Sequence, residues 1–211
     1  TVAWQLPGQQ SAVYALEGGA FICGAAVQWL RDGLGIIKRA QDIERLAASV
    51  PDANGVEFVP ALTGLGAPHW DPAARGVISG LTRGATAAHI ARATLEAMAL
   101  QNVDILRAME RDLARRMSDL RVDGGASANN MLMQLQADYL GRAIVRPMII
   151  ETTVVGACFL AGLGVGVWKN TEALAKVWRA DQSFPARMTT GARRRRLSSW
   201  QHAVDRVKSV G

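Results

Sequence analysis

Two adjacent glycines do most to limit what this chain can fold into. They lie in residues 121–130 (RVDGGASANN), between a short apolar strand expected at 120–123 and an amphipathic helix expected at 131–140. A strand that stops at Asp-Gly-Gly and turns directly into a helix brings bare main chain to the carboxyl end of a sheet. Open α/β sheets bind ligands at that edge. Glycine serves where φ must be positive, or where a ligand has to approach the backbone without meeting a Cβ. The free N–H groups of the following helix face the same edge and suit phosphate or other polar atoms. An ordinary tight turn, with Ser127 or Asn129 as N-cap, satisfies the same pattern. Context has to decide.

Taken in order, Val2, Trp4 and Leu6 alternate as a strand would, and residues 13–16 are too few to classify. Residues 17–32 are expected to be helical, with Phe21, Cys23, Val27 and Leu30 on the apolar face. Glycine inside a helix costs about 1 kcal/mol relative to alanine, so Gly24 needs a packing or ligand reason. Gln28 lies one turn on, on the same face. The pair suits the floor of a ribose or base site; equally, Gly24 can make room for a neighbouring helix with Gln28 in solvent. A second helix is expected at 42–50, then a turn cluster at 51–55, a strand at 56–62, a Gly- and Pro-rich loop at 63–72 carrying His69 and Trp70, and a strand at 76–81. Thr86 is placed to cap a helix running to about residue 116, whose half at 89–100 is apolar nearly all round and should be central.

Gly141 stops the helix that begins at residue 130. A strand at 143–146 follows and is ended by Pro147. Residues 151–168 predict a buried helix, since their apolar run falls short of the ~20 residues a membrane span needs. Gly156, Ala157, Ala161, Gly162 and Gly164 give that helix a surface another backbone can approach closely. Helices at 171–179 and 192–207 complete the chain. The order is that of an α/β domain with a two-stranded insertion around 51–84.

With 49% hydrophobic and 20% charged residues over 211, the chain can bury one sizeable core. No basic start followed by an apolar run and a cleavage site is visible, so a signal peptide is not expected. Cys23 and Cys158 read as small buried hydrophobes rather than a disulfide or zinc pair, and a cytoplasmic location follows. The net charge of +6 includes the run Arg193–Arg196. With two tyrosines and no aromatic-rich basic strand, this run reads as the solvated first turn of the last helix, and neither nucleic acid nor membrane is expected as a partner. There is no GxxxxGK[ST] loop, His69, His89 and His202 are scattered, and no aspartates pair as a two-metal site requires. No catalytic or metal-binding residue can be assigned.

Five segments, in order, resemble the FGGY carbohydrate kinase family, and within it the members that phosphorylate glycerol. They are Tyr14–Gly18 with the stretch from Gly24 through Gln28 to Asp32; the loop 63–72 with Ala74-Arg75-Gly76; residues 76–81 followed by His89-Ile90 and Ala93-Thr94-Leu95-Glu96; Asp123-Gly124-Gly125-Ala126 with Asn129; and Thr153-Val154-Val155-Gly156-Ala157 with Leu160-Ala161-Gly162. The resemblance implies an actin-like ATPase (ribonuclease H-like) α/β domain, incomplete at its amino-terminal edge. It implies transfer of the γ-phosphoryl of ATP to glycerol with Mg2+, giving glycerol 3-phosphate and ADP. Gly24 and Gln28 would contact the nucleotide, Gly125 and Asn129 would hold the adenosine, and Gly124 and Ala126 would shape the turn.

The same resemblance places the first phosphate loop and the glycerol-contacting residues in an amino-terminal domain that is missing here. It places the catalytic aspartate and second phosphate loop just upstream of Thr1, with the first strands of the actin-like domain. The 211 residues alone are therefore expected to be inactive, and to self-associate through unpaired strand edges. His69 stands where the family usually has tyrosine, and Val154-Val155 where Ala-Leu is common. A nucleotide-binding module without chemistry, or another FGGY sugar kinase such as one acting on a pentulose, are the competing readings; the loop with His69 and Trp70 favours glycerol.

Overall fold

The computed structural model describes residues 1–118 and 120–209. Its frame is a 26-residue helix, α3 (Ala87–Asp112). The helix starts where Thr86 adopts extended backbone and its N–H donates to His89 Nδ1 at 3.1 Å, satisfying a donor the first turn would otherwise orphan. Ala91, Leu95, Met98, Ala99 and Leu100 are all buried, so the expected central half is central.

Against it pack α2 (Asp42–Ala47) and α4 (Asn130–Leu140), while α1 (Gly24–Asp32) lies alongside. One continuous core joins these helices to Ile144, Phe184, Trp200 and Val204. The described residues form three small sheets: β1 (Val2–Trp4) with β2 (Val13–Tyr14), β3 (Glu57–Val59) with β4 (Val77–Ser79), both antiparallel, and a three-stranded sheet. In the last, β5 (Leu120–Arg121) pairs parallel to β6 (Ile144–Pro147), and β6 pairs antiparallel to β7 (Ala180–Phe184). The β5–α4–β6 crossover sets the glycine pair at the carboxyl end of β5. Then come α5 (Thr152–Gly164), α6 (Thr171–Ala175) and, before the carboxy terminus, α7 (Thr190–Asp205). Among the described residues no helix is long and apolar enough to cross a membrane.

Several expectations are corrected. The first helix does not begin at residue 17. Residues 17–23 are irregular because their polar main chain is satisfied elsewhere: Gly19 carbonyl accepts from Ala67 N–H at 3.0 Å, and Ile22 carbonyl accepts from Gln101 Nε2 at 3.0 Å. A Cβ on Gly18 would stand 2.9 Å from Ile105. The second helix ends at Ala47 and the long one at Asp112, short of 50 and 116. Residues 171–179 are helical only to Ala175, and β7 was not expected at all. Its sequence, ADQSF, has four exposed residues of five and no alternation to read.

The helix expected to be buried at 151–168 spans 152–164 and is not buried: Gly162 alone is, while Val154 and Leu160 are more than half exposed. It packs chiefly on the segment that follows it, with Trp168 seated over Gly162 and edge-on to Phe159 at 5.3 Å. Cys158, expected inside, is exposed with it, and Cys23 is half-buried; both are free thiols.

The arginine run is not uniformly solvated either. Arg196 is withdrawn into the structure, donating to Glu96 at 2.9 Å and Glu57 at 2.7 Å, so that α7 is tied to α3 and β3.

Candidate functional site

The turn after β5 is built as its residue types demand. Val122 N–H continues the parallel ladder to Val145 carbonyl at 3.0 Å, and the chain then leaves the sheet. Gly124 sits at φ 75°, ψ 168°, a region open in practice to glycine alone. Its N–H donates to Ile150 carbonyl at 2.7 Å. Beside it, Thr152 Oγ1 donates to an Asp123 carboxylate oxygen, so the start of α5 is fastened to the same turn.

Gly125–Ala128 forms a single 3₁₀ turn that the sequence did not announce. Ser127 is buried and its hydroxyl donates to Gly124 carbonyl at 2.7 Å, holding the turn closed. Of the two candidate caps, Asn129 takes the role: its Oδ1 accepts from Leu132 N–H at 2.8 Å. Its amide nitrogen is left free to donate.

Facing this turn across a cleft of about 270 Å3 is the start of α1. Gly24, Gln28, Gly125, Ala126 and Asn129 all line it, so five of the six predicted residues are brought together from segments about a hundred residues apart. Gly124 is outside the lining; it shapes the turn from behind.

Neither Gly24 nor Gly125 has a positive φ, and a Cβ on either would meet no protein atom within 4 Å. Packing against a neighbouring helix is thereby ruled out for Gly24. Elsewhere the contrast is plain: a Cβ on Gly66 would lie 2.5 Å from Gly19 carbonyl oxygen, and one on Gly141 would overlap the Arg193 guanidinium. Gly24 and Gly125 are bare toward space, the arrangement a ligand needs to reach main chain. Gln28 makes no hydrogen bond among the described residues and is exposed at the rim, with an amide that can donate and accept. Val27, Ile43, Leu95, Met98 and Leu132 supply an apolar wall suited to a flat ring.

Sequence reasoning missed the side of the cleft made by α2. Ala40, Gln41, Ile43 and Glu44 line it, and Glu44 Oε1 accepts from Met131 N–H at 3.0 Å, bracing α4 against α2. An ordinary amphipathic helix carries no glycine or motif to mark it. Among the described residues no three His, Cys, Asp or Glu side chains converge as metal ligands would.

Comparison with known proteins identifies the family and the fold. Glycerol kinases of Bdellovibrio bacteriovorus and Aromatoleum aromaticum are 62% and 58% identical over 207 and 208 residues, 98% and 99% of this chain. The chain spans 42% of the length of each of these relatives. A crystal structure of Plasmodium falciparum glycerol kinase with ADP superposes with a TM-score of 0.80 at 32% identity, covering 89% of this chain and 37% of that one. A xylulose kinase of Lactobacillus acidophilus, at 23% identity and a TM-score of 0.71 over 90% of this chain and 38% of its own, shares the fold. That fold is the α/β fold of the actin-like ATPases expected from the sequence. The model of the FGGY family of carbohydrate kinases, C-terminal domain, matches residues 3–165, and the chain belongs to that family.

Proposed function

We propose that this chain is the nucleotide-binding carboxy-terminal part of a cytoplasmic glycerol kinase, which transfers the γ-phosphoryl of ATP to glycerol with Mg2+ and yields glycerol 3-phosphate. All 211 residues form one domain in this reading, with 51–84 as a small β insertion. The observation that carries it is the cleft in which Gly24 and Gly125 are bare without conformational or packing cause. Gln28 and the free amide of Asn129 address the ribose and base, Gly125 and Ala126 admit the adenosine to the main chain, and the apolar wall takes the ring. Phosphoryl transfer depends on positioning and charge stabilisation more than on covalent chemistry by the protein. This chain's own share is to hold the nucleotide; the base and acceptor site belong to the amino-terminal part of the enzyme. Glycerol is favoured over a pentulose because the relatives at 62% and 58% identity are glycerol kinases, whereas the xylulose kinase likeness stands at 23%.

Two measurements test this. Gly125→Val puts a branched side chain into space that only a ligand would fill, so ADP affinity should fall by about 1–3 kcal/mol, as for overpacking a close contact, with the circular dichroism spectrum unchanged. Equal ADP affinity in both proteins would remove the cleft as the site. Separately, a coupled assay for glycerol 3-phosphate should find no turnover by the 211 residues alone, and turnover once the amino-terminal half is supplied. Turnover by the chain alone would show that it carries a base after all. A reunited enzyme that accepts a pentulose and refuses glycerol would make it a sugar kinase of the same family, and one inert toward both would leave a binding module.

A further inference from the structure

A second hollow on the surface shares none of its described lining residues with the glycine cleft. It measures about 680 Å3 and lies at the carboxyl end of α3, where Arg107, Arg111, Arg115, Arg116, Arg142 and Arg193 line it. Glu110 is the one carboxylate among the described lining residues, and it is already engaged. Arg142 Nη1 donates to its Oε1 at 2.6 Å and to Met117 carbonyl at 2.6 Å, while Met117 N–H donates to the same Oε1 at 3.0 Å.

This lock folds the chain after α3 back on the helix, through Ala114 at φ 50°, a left-handed conformation uncommon for alanine. Its result is that Arg115 and Arg116 face the same hollow as Arg107 and Arg111. Those four make no side-chain hydrogen bond or ion pair among the described residues, and Arg111, Arg115 and Arg116 are exposed. Arg193, from the first turn of α7, lies over Gly141 at the end of α4. An adjoining hollow of about 500 Å3 shares Arg107 and Arg193 and adds Arg194.

Gathering like charges around a concavity with one spent counter-charge among its described lining residues is unfavourable, and a bound anion relieves it. Guanidinium forks match phosphate oxygens two at a time. The size of the hollow is that of a small-molecule site, commonly about 300–1,000 Å3. No aromatic ring stands among the described lining residues to stack a base, and none of the large apolar side chains in the wall is exposed for insertion into a lipid surface. We infer that this hollow is a second anion site, for a small ligand carrying two or three linked phosphate groups.

Sodium tripolyphosphate is the probe, titrated by calorimetry into the full-length polypeptide that contains this chain. The triple variant Arg111→Gln, Arg115→Gln, Arg116→Gln should bind it about tenfold or more weakly, whereas the corresponding triple lysine variant, which keeps the charge and loses the forks, should fall between. Arg83→Gln, on an exposed loop elsewhere, should bind as the parent does. Gly125→Val should also bind tripolyphosphate normally, which separates this site from the glycine cleft. Unchanged affinity in a folded glutamine triple variant would overturn the proposal, as would an equal loss in Arg83→Gln or a loss in Gly125→Val. Tighter binding of duplex DNA than of tripolyphosphate, abolished in the triple variant, would overturn it in favour of a nucleic-acid face; tighter binding to anionic vesicles would do so in favour of a membrane surface.

Discussion

Helices α3 and α5 make the same offer in sequence and meet opposite fates. Residues 89–100 and 152–164 are both apolar on nearly every side, and both were expected inside. In α3 the stretch from Ala93 to Leu100 is buried without a break, Thr94 and Glu96 included. In α5 only Gly162 is buried, and Val154 stands 62% exposed. Apolar composition states that a surface gains by being covered; it does not state that the cover lies in the same segment of chain. α3 is surrounded by α1, α2, α4 and β3, whereas α5 is met chiefly by the return through Trp168. The difference lies in the neighbours.

Substitution in the core should give the largest effect and anchor one end of the comparison. Leu100 is fully buried, so Leu100→Ala should lower unfolding stability by about 2–5 kcal/mol through lost transfer energy and the cavity left behind. Chemical denaturation of this chain measures it. A loss under about 1 kcal/mol would mean that the core around α3 collapses freely onto the gap, and that its packing differs from that of α5 less than burial implies.

Next comes the ion network that binds α7 to the far side of α3. Arg196 bridges Glu57 and Glu96, Arg92 completes the second carboxylate at 2.9 Å, and Ser199 Oγ donates to Glu57 at 2.7 Å. Arg196→Gln leaves Glu57 without its cation and Glu96 with Arg92 alone, in a largely dry setting. Removing one partner of a buried pair is costly, and at the remaining exposure of these groups the loss should be about 2–3 kcal/mol. Arg195→Gln, beside it and exposed, should cost less than about 0.5 kcal/mol. Equal effects from the two would dissolve the distinction drawn within the run.

That distinction shows how far the sequence could be read. The cleft was legible because Gly24 and Gly125 are exceptions to their surroundings, and an unexplained glycine invites a ligand. The α2 wall was not, since Gln41 immediately precedes, and Glu44 sits on, a helix with nothing unusual about it. β7 owes its extended form to β6 rather than to its own residues. Arg196 could have been found: it precedes Trp200 by one turn and shares the buried face with Ala203, but four like charges together conceal the one that points inward. The α5 error has no remedy in the helix's own composition.

Where α3 leaves the core, a smaller and pH-dependent effect is expected. Arg142, by its hydrogen bond, and then Met117 N–H hold the Glu110 carboxyl below the usual glutamate range. The folded state thus favours the ionised form more than the unfolded state does. The contribution is fully present above the ordinary glutamate pKa and is lost as pH falls through the depressed folded value. Unfolding midpoints measured from neutral pH down through the acid range should drop less steeply for Glu110→Gln than for the parent; parallel curves would place the proton elsewhere.

The smallest effect tests the exposed helix itself. Leu160 is 56% exposed, so Leu160→Ala removes little area that folding had taken from water. Alanine also has the higher helix propensity, by a few tenths of a kcal/mol. The two contributions oppose each other, and the stability of this chain should change by less than about 0.5 kcal/mol in either direction. The same substitution made where the amino-terminal half is present asks a second question. If that half covers α5, the cost should rise toward the 2–5 kcal/mol of a buried leucine, and the two helices would then differ only in where their cover is encoded. A cost that stays near zero in both contexts would make the exposure of α5 intrinsic to the fold. A large cost in the short chain would refute the contrast outright, since it would require Leu160 to be packed where the structure leaves it in solvent.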